Sequence, residues 1–319
     1  MSSKTTLQET ALQLVDPTQF IHVDFWQKEA ERLGLCHCSL FDADLLMRQS
    51  MGPATVISGC SDAVLCEQDL HFPAEDIPKY LLVVNWQGLV SERGKYPFVQ
   101  LGPAVREGRC SPSDFYSLKT DRFTWGTFPR LPDWLSAWYT VNCNVDDPRI
   151  HLLPFGLNTD GHGASILANY QKGPDKKDGL FYANFQRNSN RRVAIKEVFA
   201  QKPWITYEHL PNIPVEKYLE EVSSHKFVAC PIGNGYDQYR IYETLYLGSI
   251  PVVEDSVWAR KLQATRIPLL VVNDMTRLTP DFLMGFWREA QTYPWSYQWL
   301  IASCWAHQFQ KMSKTAIDK

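Results

Sequence analysis

Charge imbalance, long apolar runs and paired cysteines are all scarce in this 319-residue chain. The 32 Lys and Arg stand against 35 Asp and Glu for a net charge of −3, and no basic run exceeds a pair. A protein that grips nucleic acid through its overall charge would be basic, so no nucleic-acid partner is expected. Residues 1–20 are polar with isolated leucines. Neither a signal peptide nor a membrane anchor is therefore expected, and the expectation is a soluble, cytoplasmic protein without a membrane span. Of 8 cysteines, only Cys36-His37-Cys38 forms a close pair. A tetrahedral zinc site needs a second pair at similar spacing, so that tripeptide is not expected to bind metal. The scattered cysteines read as reduced thiols, with Cys230 a small buried hydrophobe in an apolar run. No internal repeat or low-complexity segment breaks the chain.

What is present centres on 225–254. Lys226–Cys230 is a short apolar run, followed by Pro231-Ile232-Gly233-Asn234-Gly235, an amphipathic segment Asp237–Leu247, Gly248, and a second apolar run Ile250–Val253. That order is strand, loop, helix, strand, a βαβ unit. Gly233 and Gly235 allow a close approach of backbone to ligand or a positive φ. The free N–H groups of the helix that follows face the same loop and favour an anion. Arg240 and Glu243 are three apart and share one helix face near its start. A guanidinium suits phosphate by charge and fork geometry, and a carboxylate beside it accepts from vicinal hydroxyls. Phosphate plus diol is what a nucleotide presents. The same spacing also fits an ordinary βαβ unit with a surface Arg–Glu pair, and the residue pattern alone leaves both open.

The chain length predicts about two domains, and 45% hydrophobic residues are enough to bury a core in each. Residues 1–20 read as a flexible lead, Val23–Leu33 as a helix, and Leu45–Met47, Ala54–Ser58 and Tyr80–Val84 as strands. Residues 91–130 form an irregular insertion rich in Pro, Gly and aromatics. Within it Trp125, between Thr124 and Gly126, is a candidate platform for a sugar ring. Residues 133–140 are expected to be helical and Ile150–Pro154 a strand. A polar hinge over 160–179 sets a boundary between residues 1–165 and 166–319. Beyond it, Leu180–Ala183, Trp204–Tyr207 and Ile267–Val272 read as strands, and Arg191–Ala200, Pro214–Ser223 and Pro280–Gln291 as helices. Pro294–His307 reads as a last aromatic helix packing back on the first domain. Alternating strands and helices in both halves predict α/β domains on parallel sheets.

Pro231-x-Gly233, the run Tyr239-Arg240-Ile241-Tyr242-Glu243-Thr244-Leu245, and Gly248-x-Ile250-Pro251-Val252 resemble the nucleotide-sugar half of the exostosin-like glycosyltransferases, with Thr244 where alanine is usual. Pro132 to Leu157, including Leu153-Pro154-Phe155-Gly156-Leu157, resembles that family's interdomain segment. Asn184–Arg192 resembles its first donor-side loop. The resemblance covers about residues 130 to 255.

It implies two Rossmann-like domains facing a cleft (the GT-B type), the first for an acceptor and the second for a UDP-sugar donor. The implied reaction is inverting transfer of a sugar to a hydroxyl of an oligosaccharide or glycoprotein glycan, with UDP-xylose, UDP-glucuronate, UDP-galactose and UDP-GlcNAc all open as donors and xylose favoured. No cofactor is expected, and transfer without metal is expected because arginine and the helix dipole can take the metal's place and no Asp-x-Asp motif is read. On the donor side Arg240 would hold the diphosphate, with Arg187 or Arg191 as a second cation, and Glu243 would accept from the ribose. Asn184, Gly233, Asn234, Gly235 and Tyr236 would line the loops, and Tyr207 would flank the base. Asp62, after an apolar run and the turn at Gly59, is the candidate general base, with Asp69, His71 and Asp76 in reserve. A sugar-nucleotide epimerase on the same fold, or a nucleotide-sugar or glycan-binding module without catalysis, would use the same donor residues.

Overall fold

The computed structural model describes residues 18, 20, 21, 25, 29, 36–39, 54–58, 80–84, 98–101, 135–140, 146, 148, 150–157, 167, 169–187, 189–208, 213–233 and 236–308. The chain divides into two compact units, one made of Val23–Pro154 with Ser303–Lys319, the other of Met1–His22 with Phe155–Ala302.

The first unit holds a six-stranded sheet whose strands lie in chain order: β1 (Cys36–Ser39), β2 (Ala54–Ser58), β3 (Tyr80–Val84), β4 (Phe98–Leu101), β5 (Leu135–Thr140) and β6 (Ile150–Leu152). Strands β1 to β3 are parallel, as are β5 and β6. Strand β4 runs antiparallel to both its neighbours, so this sheet is mixed rather than parallel throughout. Two expectations fail here. The segment expected to be a helix over 133–140 is strand β5, whose Trp138, Tyr139 and Thr140 are residue types that favour a pleated surface. The region expected to be an irregular insertion supplies β4. Cys36-His37-Cys38 lies in β1, and Leu45–Met47 is outside the described residues.

The second unit carries a five-stranded sheet in the order β11-β10-β9-β7-β8. Its strands are β7 (Gly179–Ala183), β8 (Ile205–Tyr207), β9 (His225–Ala229), β10 (Ile250–Glu254) and β11 (Leu270–Val272). All pairings are parallel. The helices are α1 (Asn190–Phe199), α2 (Val215–Ser224), α3 (Tyr239–Tyr246), α4 (Val257–Ala264) and α5 (Pro280–Thr292). Central strands of such a sheet are covered on both faces and read as continuous apolar runs, and Phe227, Val228 and Ala229 of β9 are all fully buried. Phe227 meets Trp287 of α5 edge-on at 5.9 Å, and Phe181 meets Phe199 of α1 at 5.5 Å. Ser189, Ser256 and Thr279 cap α1, α4 and α5 by accepting from Arg192, Ala259 and Phe282 amides. Helix α4 was not anticipated, although Ser256 followed by Val257, Trp258 and Leu262 is its signature.

The strand order matters most. The chain passes from β7 outward to β8, then returns to the other side of β7 to lay down β9, β10 and β11. The reversal puts a switch point between β7 and β9, and at such a point the loops leaving the carboxyl ends of the two strands diverge and leave a crevice for ligand.

Three further segments differ from expectation. Phe20 and Ile21 are buried rather than part of a flexible lead. The Ile21 amide donates to Tyr246 Oη at 2.8 Å, the Leu157 amide donates to the Ile21 carbonyl at 2.8 Å, and Phe20 stacks on Tyr246 at 4.1 Å. Lys177, expected in a polar hinge, is 2% exposed. Its Nζ donates to the carbonyls of Ser223 and Leu247 at the ends of α2 and α3, and to Ser249 Oγ, at 2.7, 3.1 and 2.8 Å. The run expected as one helix over 294–307 instead holds a short 3-10 turn at Gln298–Leu300 and a helix only from 302. Ile301 is drawn into an antiparallel bridge with Phe20, which a helical residue could not make.

Candidate functional site

At the switch point the loop leaving β9 is fixed by one side chain of α1. Arg192 is 5% exposed. It donates from Nη2 to the Pro231 carbonyl at 3.0 Å and to Gln238 Oε1 at 2.8 Å, and from Nε to the Ile232 carbonyl at 3.0 Å. Gln238 Nε2 returns a bond to the Pro231 carbonyl at 2.8 Å. A Cβ on Gly233 would lie 2.5 Å from Arg192 Nη2, so the glycine is required by this close approach. The partners are amide oxygens, so none of them neutralises the guanidinium. Burial pulls its pKa down to about 10, with the like charge of Arg240 adding to the effect.

One turn further along α1, Lys196 lies on the same helix face. It is 1% exposed, and its Nζ has no hydrogen-bond partner among the described residues. The ammonium sits 5.4 Å from the ring centres of Phe185 and of Tyr207. Cation–π contacts of this kind contribute about 0.5–2 kcal/mol. Removing an ammonium from water costs several kcal/mol, so the rings leave it under-compensated (roughly, by the magnitudes for buried ions). Burial, followed by the charges of Arg187, Arg240 and Arg192, holds its pKa below the ordinary lysine value. Arg240, near the start of α3, has a buried Nε without a hydrogen-bond partner among the described residues, and its guanidinium lies 6.0 Å from the Tyr218 ring centre. Arg187, Arg192, Lys196 and Arg240 thus form a cationic group, with Arg192 in the first turn of α1, where the helix dipole adds positive potential, and Lys196 in its last turn.

Arg240 and Glu243 do stand together on α3, as the spacing predicted. Glu243 is 9% exposed, and its Oε2 accepts from Tyr218 Oη at 2.6 Å, a contact reaching in from α2. Burial, then the Glu243 charge, holds the Tyr218 hydroxyl far above its usual pKa. Asn184 is buried at the end of β7; its Nδ2 donates to Tyr182 Oη at 3.3 Å and its Oδ1 has no partner among the described residues. Tyr207 ends β8 beside Lys196. Tyr236 stacks on Trp258 at 6.4 Å. Arg187 is exposed. Arg191 is turned elsewhere: it makes a bidentate pair with the buried Glu254, with Nε to Oε2 at 2.8 Å. Of the two cations that the sequence left open, Arg191 is engaged by Glu254 at β10, and Arg187 is the one whose charge acts on Lys196. Asn234, Gly235, Asp62, Trp125, Asp69, His71 and Asp76 lie outside the described residues.

Sequence reasoning passed over Arg192, Lys196 and Asp237. Asp237 is 1% exposed, and its Oδ2 accepts from the Phe155 amide at 3.2 Å and from Tyr242 Oη at 3.1 Å. Tyr242 Oη also accepts from the Phe155 amide at 2.8 Å, and the Phe155 ring stacks on Tyr239 at 4.6 Å. Burial raises the Asp237 pKa to about 8, against the opposing hydrogen bond from Tyr242. These contacts fasten the Phe155-Gly156-Leu157 segment to the start of α3.

One sequence feature bears on the expectation of metal independence. The expected lack of an Asp-x-Asp motif is corrected: Asp42-Ala43-Asp44 is such a triplet, a pattern that can bind a divalent cation through carboxylate oxygens, and it lies outside the described residues. Among the described residues, no helix is long and apolar enough to cross a membrane.

The family described as RXYLT1 C-terminal domain matches residues 181–289, from β7 through most of α5. The chain is 25% identical over 162 residues to ribitol-5-phosphate xylosyltransferase 1 of Homo sapiens, covering 46% of this chain and 36% of that protein. It is 27% identical over 159 residues to the protein of the same name from Danio rerio, again covering 46% of this chain and 36% of the relative. The match thus spans just over a third of the length of these curated relatives. The family match over residues 181–289 includes the switch point and the residues that gather there.

Proposed function

We propose that the chain is a glycosyltransferase that takes its sugar from a nucleoside-diphosphate sugar, UDP-linked and with xylose the first candidate, and passes it to a hydroxyl of a glycan. The observation that carries this reading is the cationic group of Arg187, Arg192, Lys196 and Arg240 at the switch point, inside the stretch that resembles a xylosyltransferase domain. Arg240 holds the diphosphate, with Arg187 as the second cation and the α1 N-terminus adding amide donors. Glu243 accepts from the ribose hydroxyls, and Tyr207 flanks the base. Asn184, Gly233 and Tyr236 line the loops, together with Asn234 and Gly235.

In this reading the acceptor oxygen attacks the anomeric carbon while the bond from that carbon to the diphosphate oxygen breaks. The hydroxyl proton passes to a carboxylate, for which Asp62 is the proposed base, and the configuration inverts. The electron pair departs with the diphosphate, and cations already in place when the charge develops lower the barrier without rearrangement. Trp125 is the proposed platform for an acceptor ring. Membership of the exostosin-like family and the GT-B arrangement belong to the same proposal, as does transfer without metal.

A thermal-shift panel of UDP-xylose, UDP-GlcNAc, UDP-galactose, UDP-glucuronate and GDP-sugars tests it. Saturating donor at a hundredfold its Kd should stabilise the protein by about 2.7 kcal/mol. Acceptor-dependent release of UDP then distinguishes transfer from epimerisation, which needs no acceptor, and from binding alone. Failure of every nucleotide sugar to bind overturns the reading.

A further inference from the structure

We propose that Lys196 is a phosphate-binding residue, its ammonium buried without a partner so that the ligand's anion completes it. The inference rests on the reading of the switch point as a phosphate site and adds to it a residue that neither the spacing nor the family resemblance singled out. Helix α1 buries one stripe, Arg192, Ile195, Lys196 and Phe199. A buried helix stripe is normally apolar, and here half of it is cationic. The two cations are treated differently. Arg192 spends its donors on Pro231, Ile232 and Gln238 and so builds the loop. Lys196 builds nothing: it makes no hydrogen bond among the described residues, and Arg187, Arg192 and Arg240 are the charges that act on it.

A lysine kept for architecture looks different in this same unit. Lys177, equally buried, donates to the Ser223 and Leu247 carbonyls and to Ser249, and Lys202 donates to the Thr276 and Leu278 carbonyls. A buried ammonium surrounded by like charge, facing aromatic rings at the carboxyl ends of β7 and β8, is in place for an incoming anion. The Phe185 and Tyr207 ring centres, 5.4 Å from that ammonium, leave its three N–H donors without an acceptor among the described residues.

The test compares the full chain with Lys196→Met and Lys196→Arg by calorimetry and thermal melting, using UDP, GDP, uridine and inorganic pyrophosphate as probes. Lys196→Met should lose UDP affinity tenfold or more and leave uridine binding within about twofold (a factor that separates the two effects by the arithmetic of affinity). Its unliganded melting temperature should equal or exceed that of the wild type, because an uncompensated buried charge has gone. Lys196→Arg should recover part of the affinity. UDP binding by Lys196→Met within threefold of wild type overturns the inference and leaves the nucleotide-sugar reading standing (again by the arithmetic of affinity). A fall in unliganded melting temperature, or failure of Lys196→Met to fold, assigns the lysine to architecture and also overturns it. If wild type binds pyrophosphate in a Lys196-dependent way but no nucleotide, the inference survives and the nucleotide-sugar reading fails. If it binds neither, both fail.

Discussion

Arg192 occupies the space that a side chain on Gly233 would need: a Cβ there would come within 2.5 Å of Nη2. A methyl group at 233 must push the guanidinium off the Pro231 and Ile232 carbonyls or displace the loop. Gly233→Ala should therefore destabilise the protein by about 1–3 kcal/mol, the usual cost of overpacking. It should also weaken nucleotide binding, since the same loop faces the ligand. Urea denaturation and UDP titration check both, and an alanine variant of wild-type stability would mean that the approach is not as close as described.

Glu243 is the proposed ribose acceptor, although Tyr218 already donates to its Oε2. Glu243→Gln keeps an amide oxygen for Tyr218 and removes the charge. Its stability should stay within about 1 kcal/mol of wild type, as for a neutral hydrogen bond exchanged for a charged one. UDP affinity should fall about tenfold, the loss expected of one charge-assisted hydrogen bond. Unchanged UDP affinity would remove Glu243 from the site and return it to the packing of α2 against α3.

Transfer should proceed in EDTA, with the cationic group at the switch point neutralising the departing diphosphate. Activity abolished by EDTA and restored by Mg²⁺ or Mn²⁺ would overturn metal independence and direct attention to Asp42 and Asp44. Asp62→Asn should reduce turnover by about 10²–10⁴, the range for loss of a general base, with UDP binding unchanged. Undiminished turnover would send the role to Asp69, His71 or Asp76.

Asp237 makes a pH prediction. Burial raises its pKa from 3.8 to about 8 in the folded chain. Between those values the folded state holds a proton that the unfolded chain has released, so stability falls as pH rises. The Asp237 contribution is fully present below about pH 3.8 and is lost as pH passes through about 8. Asp237→Asn should flatten this part of the stability–pH profile while retaining an oxygen for the Phe155 amide. A slope over pH 5–8 identical in the variant would place the titration elsewhere (a window bracketed by these two pKa values).

The C-terminal sheet was legible because its strands are apolar runs punctuated by glycine and proline. Leu180–Ala183, Lys226–Cys230 and Ile250–Val253 fall within a residue or so of β7, β9 and β10. Pairing Arg240 with Glu243 needed only helix periodicity. Long-range partners carried no such signal. Nothing local announces that Tyr218, 25 residues before Glu243, donates to it, or that α1 turns Lys196 inward, since Arg191–Phe199 reads equally well with its one lysine in solvent. In the first unit, strand β5 was mistaken for a helix because Leu135, Ala137 and Trp138 fit either period over so short a run.

The bridge between Phe20 and Ile301 joins residues from nearly opposite ends of the chain. On a ribosome, Phe20 emerges long before its partner exists. The amides and carbonyls near Ile21 must wait through synthesis of the whole first sheet before Leu157, Tyr246 and then Leu300 arrive to close around them. The second unit is therefore a late and discontinuous product of translation, and a fragment cut to begin at Phe155 would lack the strand-like segment that completes it.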